Sequence, residues 1–141
     1  MTANLELDPN NLLHARVLAR LENDRIAWLG TNGRQGYPHS VPVWFAWWRG
    51  QAVILVHPGT AKERNLRSDP RASLHLETGQ NEQEFILLRG SAEISAERTA
   101  TWMDRIRGNY RHKYGDDVIA AVGDGGDSLI VTFRPRWLTA A

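Results

Sequence analysis

Apolar residues Leu13, Val17, Leu18 and Leu21 recur at helical spacing behind Asp8-Pro9, an N-cap residue followed by proline, and predict a helix over residues 9–23. The period then changes. Ile26-Ala27-Trp28-Leu29, the turn-rich Asn32-Gly33-Arg34-Gln35-Gly36 and the apolar run 41–48 predict a β-hairpin, and Arg49-Gly50 turns the chain into a further strand over 52–56. Three consecutive strands with short turns predict an antiparallel meander rather than a βαβ unit. After His57-Pro58-Gly59, the segment Thr60-Ala61-Lys62-Glu63 has the form of a capping box and predicts a short helix to about residue 67, ended by Asp69-Pro70. Strands over 72–77 and 85–94 follow, with a polar loop over 78–81. Ser95 is placed as the cap of a helix that carries Trp102, Met103, Ile106 and Tyr110 on one face, and residues 123–127 read as a surface loop before a last strand over 128–137. With no repeat and no linker, residues 1–141 form one domain. About six strands with flanking helices make it mainly β (α+β), and a small antiparallel barrel is its natural closure, because an open sheet leaves two unpaired edges.

The run 41–48 is apolar on both faces: Val41, Val43, Phe45 and Trp47 alternate with Pro42, Trp44, Ala46 and Trp48. One face fills the barrel. The other needs a helix of the chain, a bound ligand or a second subunit. Pro42 lacks an N–H for a sheet ladder, which places it at an edge, at a bulge, or where something else meets the backbone.

Composition adds exclusions. The 141 residues are 42% hydrophobic and 23% charged, ordinary for one soluble domain. A net charge of +1 gives no global field for nucleic acid or an anionic membrane, and no run approaches the roughly 20 apolar residues of a membrane span. The absence of cysteine removes disulfides, thiolate metal sites and cysteine nucleophiles, and suits a reducing cytoplasm. With no signal segment at the N-terminus, a soluble cytoplasmic protein is expected. His14, His39, His57, His75 and His112 share no ligand spacing, so no metal site is expected. There is no Gly-x-Ser-x-Gly elbow, and the glycines at 123–126 do not pass from strand to helix as a dinucleotide-binding turn requires.

Basic residues are concentrated locally. Residues 60–71 hold four basic against two acidic side chains, a local +2. The helix start combines free backbone N–H groups, Gly59 and Lys62, a set that fits a phosphate and equally fits an exposed cap with a solvated charged face. His57, at the start of this loop, either touches a bound group or makes a local hydrogen bond. Residues 98–114 hold five basic against one acidic side chain. Their apolar stripe reads as a core face with a solvated basic face opposite, a nucleic-acid patch being the alternative.

Two motifs carry a family resemblance. Gly36-Tyr37-Pro38-His39-Ser40-Val41-Pro42-Val43-Trp44-Phe45 and Thr60-Ala61-Lys62-Glu63-Arg64-Asn65-Leu66-Arg67-Ser68-Asp69-Pro70-Arg71-Ala72-Ser73-Leu74 resemble, in order and spacing, the flavin and deazaflavin split β-barrel proteins grouped with pyridoxamine 5′-phosphate oxidase. The likeness covers about residues 12–138. It implies a six-stranded antiparallel split β-barrel of the FMN-binding type, a homodimer, and a cofactor at the subunit interface. By the same resemblance Ser40, Val41, Pro42, Val43 and Trp44 line the cofactor ring, and Thr60, Lys62 and Asn65 take its phosphate end, with Gly59 and His57 in the adjoining loop.

Departures refine it. True pyridoxamine 5′-phosphate oxidases have arginine where this chain has Ala61 and further arginines where it has Ser40 and Val41, and their C-terminal arginine motif has no match in Arg134-Pro135-Arg136-Trp137. Vitamin B6 oxidation is therefore not expected. Lys-x-x-Asn-Leu-Arg-x-Asp-Pro-Arg is similar to the short branch that binds coenzyme F420, with FMN as the second choice. The resemblance implies an oxidoreductase passing hydride to or from a small, apolar or conjugated substrate, with Trp44, Trp47 or Trp48 walling the substrate space and no catalytic side chain identified. The basic 98–114 helix is placed as a guide for the anionic tail of F420. A carrier without turnover and a haem-binding split barrel with an axial histidine are the alternatives.

Overall fold

A computed structural model describes residues 4–79 and 81–141. Helix α1 (Leu12–Asn23) leads into β1 (Ile26–Asn32), a single 3-10 turn at Arg34–Gly36, β2 (Pro38–Trp44), β3 (Ala46–Trp48) and β4 (Gln51–Val56). Then come α2 (Ala61–Ser68), β5 (Arg71–Leu76), β6 (Ile86–Ile94), α3 (Thr99–Tyr114), α4 (Asp116–Val122) and β7 (Leu129–Ala140). All pairings are antiparallel, in the order β2-β1-β5-β6-β7-β4-β3.

That order explains the curl. β2 and β3 are the two edges of the sheet, yet one residue, Phe45, separates them in the chain. The sheet must therefore roll until its edges meet at Phe45, which makes a split barrel of seven strands rather than about six. The apolar run 41–48 is accordingly two strands, and the expected three-strand meander resolves into two hairpins at opposite edges. Phe45 leaves both ladders because α3 takes its peptide groups: its N–H donates to the Tyr114 hydroxyl at 2.9 Å and its carbonyl accepts from Lys113 Nζ at 3.0 Å.

The barrel interior is filled by Leu29, Phe45, Trp47, Ile54, Leu74, Leu88 and Phe133 from the strands, with Val17 and Leu21 of α1 packed against them. A second core lies outside the barrel, where α3 and α4 bring Trp102, Met103, Ile106, Tyr110 and Ile119 onto Ala46, Val53 and Ile130. The two-faced run is thus covered in halves. Around β3 its outer face meets α3, whereas Pro38, Ser40, Pro42 and Trp44 on the outer face of β2 remain exposed.

Several caps differ from expectation. The first helix begins at Leu12 with Asn11 as N-cap, whose side chain accepts from His14 N at 3.1 Å, because the Asp8 carboxylate is engaged by Asn10 N. Ser95 caps nothing: its hydroxyl accepts from Glu97 N and Trp102 Nε1, and α3 starts four residues later. The capping box is displaced by one residue, since Glu63 accepts from Gly59 N at 2.7 Å while Thr60 donates to His57 O at 2.9 Å. Helix α4 was not expected; Gly115, at φ 90°, breaks it from α3.

Buried Lys113 gives a pH prediction. Desolvation lowers its pKa to about 7, against smaller opposing contributions from Asp24 and Glu22. Between about 7 and the unfolded value of 10.5 the unfolded chain holds the extra proton, so stability is expected to rise with pH through that window. Above pH 10 the raised phenols of Tyr110 and Tyr114 reverse the trend, because the unfolded state then loses protons first. Urea unfolding from pH 6.5 to 9.5 checks this: the wild type gains stability and Lys113→Met shows a flatter profile.

Candidate functional site

Three cavities lie along β2. The first, about 570 Å³, is set between the 33–39 segment and one face of α2, and is lined by Arg34, Tyr37, His39, Ala61, Arg64 and Asn65. Positions 61, 64 and 65 share a helix face by their spacing. Arg34 and Arg64 have no carboxylate partner among the described residues, so the cavity is basic. Arg64 does hold the Gly59 carbonyl at 2.8 Å.

The second cavity, about 400 Å³, is a trough on the uncovered outer face. Its floor is one cross-strand row, Ser40, Gly30, Ser73, Arg89 and Trp137, each paired with the next across β2, β1, β5, β6 and β7. Gly30 keeps the floor low: a Cβ there would meet Ser73 Oγ at 2.3 Å. His75 lines it, stacked on Trp28 at 6.0 Å, and so do Asn32 and Arg71, which both donate to the Asp69 carboxylate. The Arg71 guanidinium, with Asn32 assisting, holds the Asp69 carboxyl well below the usual carboxylate range.

A β-bulge closes the trough at its β7 end. Arg89 pairs with Trp137 and Gly90 with Pro135, which leaves Arg136 as the extra residue. The phase of β7 flips there, so Arg136 and Trp137 are both exposed, and Arg89 and Arg136 lie 5.8 and 4.4 Å from the Trp137 ring centroid.

His39 and Pro38 line both cavities. The His39 Nδ1 atom is buried without a hydrogen-bond partner, a group that a ligand spanning the two cavities would satisfy. The third cavity, about 420 Å³, lies at the other end of β2, where Trp44, His57 and Tyr110 face the loop before β7.

The residues expected at a cofactor site are therefore distributed. Ser40 lies in the trough, Asn65 in the basic cavity, and Trp44 and His57 in the third cavity. Val41 and Val43 turn inward, half-buried and buried, while Pro42 is exposed on the edge strand. Gly59, Thr60 and His57 form a closed local network in which the Glu63 carboxylate takes the Gly59 N–H, and that bond, ahead of Arg67, lowers the Glu63 pKa. Asn65 is buried and spends its amide on Thr31 Oγ1 at 3.0 Å, tying α2 to β1. Lys62 is half-buried and lines none of the three cavities. Trp47 belongs to the barrel core and Trp48 packs edge-on against Trp102, so Trp44 alone of the three reaches a cavity along β2.

The basic helix also reads differently. Arg105, Arg107 and Arg111 are ion-paired to Glu97, Asp104 and Asp116, and Lys113 is buried against Phe45. Little free positive charge is left on α3. Among the described residues, Arg34 and Arg64 in the basic cavity and Arg89 and Arg136 at the bulge are cations without an acidic partner, as are Arg25, Arg49, Lys62, Arg98, Lys113 and Arg134 elsewhere. The sequence carried two signals for this: glycine and proline at 90 and 135 mark the bulge, and Arg34 lies in the hairpin turn. Among the described residues no three His, Asp or Glu side chains gather as a metal site, and no helix is long and apolar enough to cross a membrane.

The family model for pyridoxamine 5′-phosphate oxidase matches residues 13–140, and the chain belongs to that family. No curated protein matches the sequence. Among solved structures, a conserved hypothetical protein from Mycobacterium tuberculosis is 24% identical with a TM-score of 0.75, over 99% of this chain and 89% of that one. A protein described as an F420 reductase is 21% identical with a TM-score of 0.66, over 86% and 94%. HutZ, the haem storage protein of Vibrio cholerae, is 16% identical with a TM-score of 0.70, over 96% and 94%. At these identities the likeness is one of fold, the split barrel.

Proposed function

We propose that this chain binds a flavin-type cofactor along β2, coenzyme F420 first and FMN second, and acts as an oxidoreductase on a small organic substrate. The observation that carries the reading is His39. Its unpartnered Nδ1 sits where a basic cavity and a shallow trough meet, beside a strand whose outer edge carries no ladder. That geometry suits an elongated ligand with an anionic end and a flat end. Arg34 and Arg64 would hold the anionic end by charge-assisted hydrogen bonds. Free peptide groups of β2 near Ser40 and Pro42 would orient the flat end, and Trp44 would shield it from water. When bound, the cofactor supplies the hydride chemistry, which fits a chain without cysteine.

A second copy of the chain is proposed to cover the same face. Trp44, Phe85 and Trp137 are 41, 43 and 50% exposed; Trp137 lines the trough and Trp44 the third cavity. Large exposed aromatic side chains of this kind support an isologous dimer with the cofactor between subunits.

The anchor is tested by cofactor titration of two variants. Arg64→Ala is expected to weaken binding by roughly 1.5 to 3 kcal/mol, the range for a hydrogen bond to a charged group. Lys62→Ala separates two sources of the reading, since the family resemblance names Lys62 and the cavity names Arg64. Loss in Arg64→Ala alone moves the anchor to the cavity, and unchanged affinity in both variants removes the anion-site reading.

A further inference from the structure

The third cavity has a chemistry of its own. One wall is an aromatic chain: Trp44 stacks on Tyr114 at 4.6 Å and 19°, and Tyr114 meets Tyr110 at 4.6 Å. The Tyr114 hydroxyl is fixed by Phe45 N and by Arg25 O at 2.6 Å, so the indole rests on an immobile ring. The opposite wall is the loop 123–128, ordered by Gly125 N to Val122 O, Ser128 N to Gly125 O and Thr99 Oγ1 to Ser128 O. Gly125, at φ 91°, packs so closely that a Cβ would meet Thr99 Cγ2 at 2.3 Å. A segment that reads as surface loop in the sequence is thus a cavity wall.

Tyr110 is the decisive residue. It is 3% exposed, it lines this cavity, and its hydroxyl makes no hydrogen bond among the described residues. Burial pushes its phenol up to about 12, so the group is a neutral donor near pH 7. The hydroxyl is not among the side-chain atoms sealed from solvent without a partner, so it is reachable from the cavity as a free donor for a ligand acceptor. Among the described residues no lysine or arginine lines the cavity, and Asp127 and His57 are part of its wall.

We infer that this cavity is a binding site for an uncharged, flat ring bearing a hydrogen-bond acceptor, the ring lying against Trp44 and the acceptor taking the Tyr110 hydroxyl. With Asp127 at the wall and no lysine or arginine among the described lining residues, an uncharged ligand is favoured over a phosphorylated or sulfonated one, His57 being the one basic side chain there. The inference deepens the proposed function, resting on it only for the statement that such a ligand is the substrate. Its binding is readable without cofactor.

The test is calorimetric titration of the full-length chain with 2-acetylnaphthalene, 2-ethylnaphthalene and naphthalene-2-sulfonate. The acetyl compound is expected to bind most tightly and the sulfonate at least tenfold more weakly. Tyr110→Phe removes a hydroxyl that supports no contact in the fold, so the variant stays folded. It should lose about three- to tenfold for the acetyl compound and nothing for the ethyl one. Trp44→Ala should lose at least tenfold for both. Absence of binding by all three probes, tightest binding of the sulfonate, or a Tyr110→Phe variant indistinguishable from wild type overturns the proposal. A chain that shows these effects yet binds neither F420 nor FMN keeps the site and loses the cofactor reading; the reverse outcome loses the site alone.

Discussion

Gly90→Ala is expected to lower the stability by roughly 3 kcal/mol or more, in the range reserved for substitutions that force the backbone to move. The added Cβ would lie 2.0 Å from the Arg134 carbonyl oxygen and 2.9 Å from Pro135 Cα. Neither strand can give way, because Leu88 is in register with Leu138 on one side and Ser91 with Arg134 on the other. Relief requires losing the bulge, and the bulge is what sets Arg136 and Trp137 at the end of the trough. Gly108→Ala is the control. Gly108 lies within α3 with nothing near its missing Cβ, so alanine should add about 0.5 to 1 kcal/mol. Urea unfolding of both variants checks the pair, and a Gly90→Ala protein as stable as wild type would refute the account of the bulge.

Tyr114→Phe is the second large effect, roughly 2 to 3 kcal/mol of destabilisation. One oxygen serves the seam of the barrel, accepting from Phe45 N and donating to Arg25 O. Phenylalanine keeps the stack on Trp44 but leaves the Phe45 N–H buried without an acceptor, and that unmet group sets the magnitude. Thermal unfolding should fall by on the order of 5 to 10 °C. A change under about 0.5 kcal/mol would mean that the seam is held by Lys113 and core packing instead.

These two residues also show what a sequence can and cannot say. Period and turn chemistry locate most of the helices and strands, α4 excepted, because apolar spacing depends only on local geometry. The split at Phe45 is invisible in that pattern. Apolar alternation continues unbroken from Val41 to Trp48, and only a distant partner, Tyr114, draws the chain out of its ladder. The same limit applies to charge. Arg105, Arg107 and Arg111 look like a free basic face until Glu97 and Asp116, just beyond that helix, are seen to pair with it. Gly90 and Pro135 fall inside segments that read as unbroken strands, and the glycines at 123, 125 and 126 read only as a loop, since the meaning of each lies in what it approaches. At the candidate site, Ser40, Trp44, His57 and Asn65 reach cavities, while Arg34, Arg64, His39 and Tyr110 came into view only when the strands were rolled up.

The most direct measurement of the central claim is equilibrium titration of the full-length chain with F420 and FMN side by side, followed by cofactor fluorescence. The account predicts saturable binding of one cofactor per chain, tighter for F420, with affinity falling in Arg64→Ala. Binding of neither cofactor, with a Soret band appearing instead on addition of haem, would contradict it.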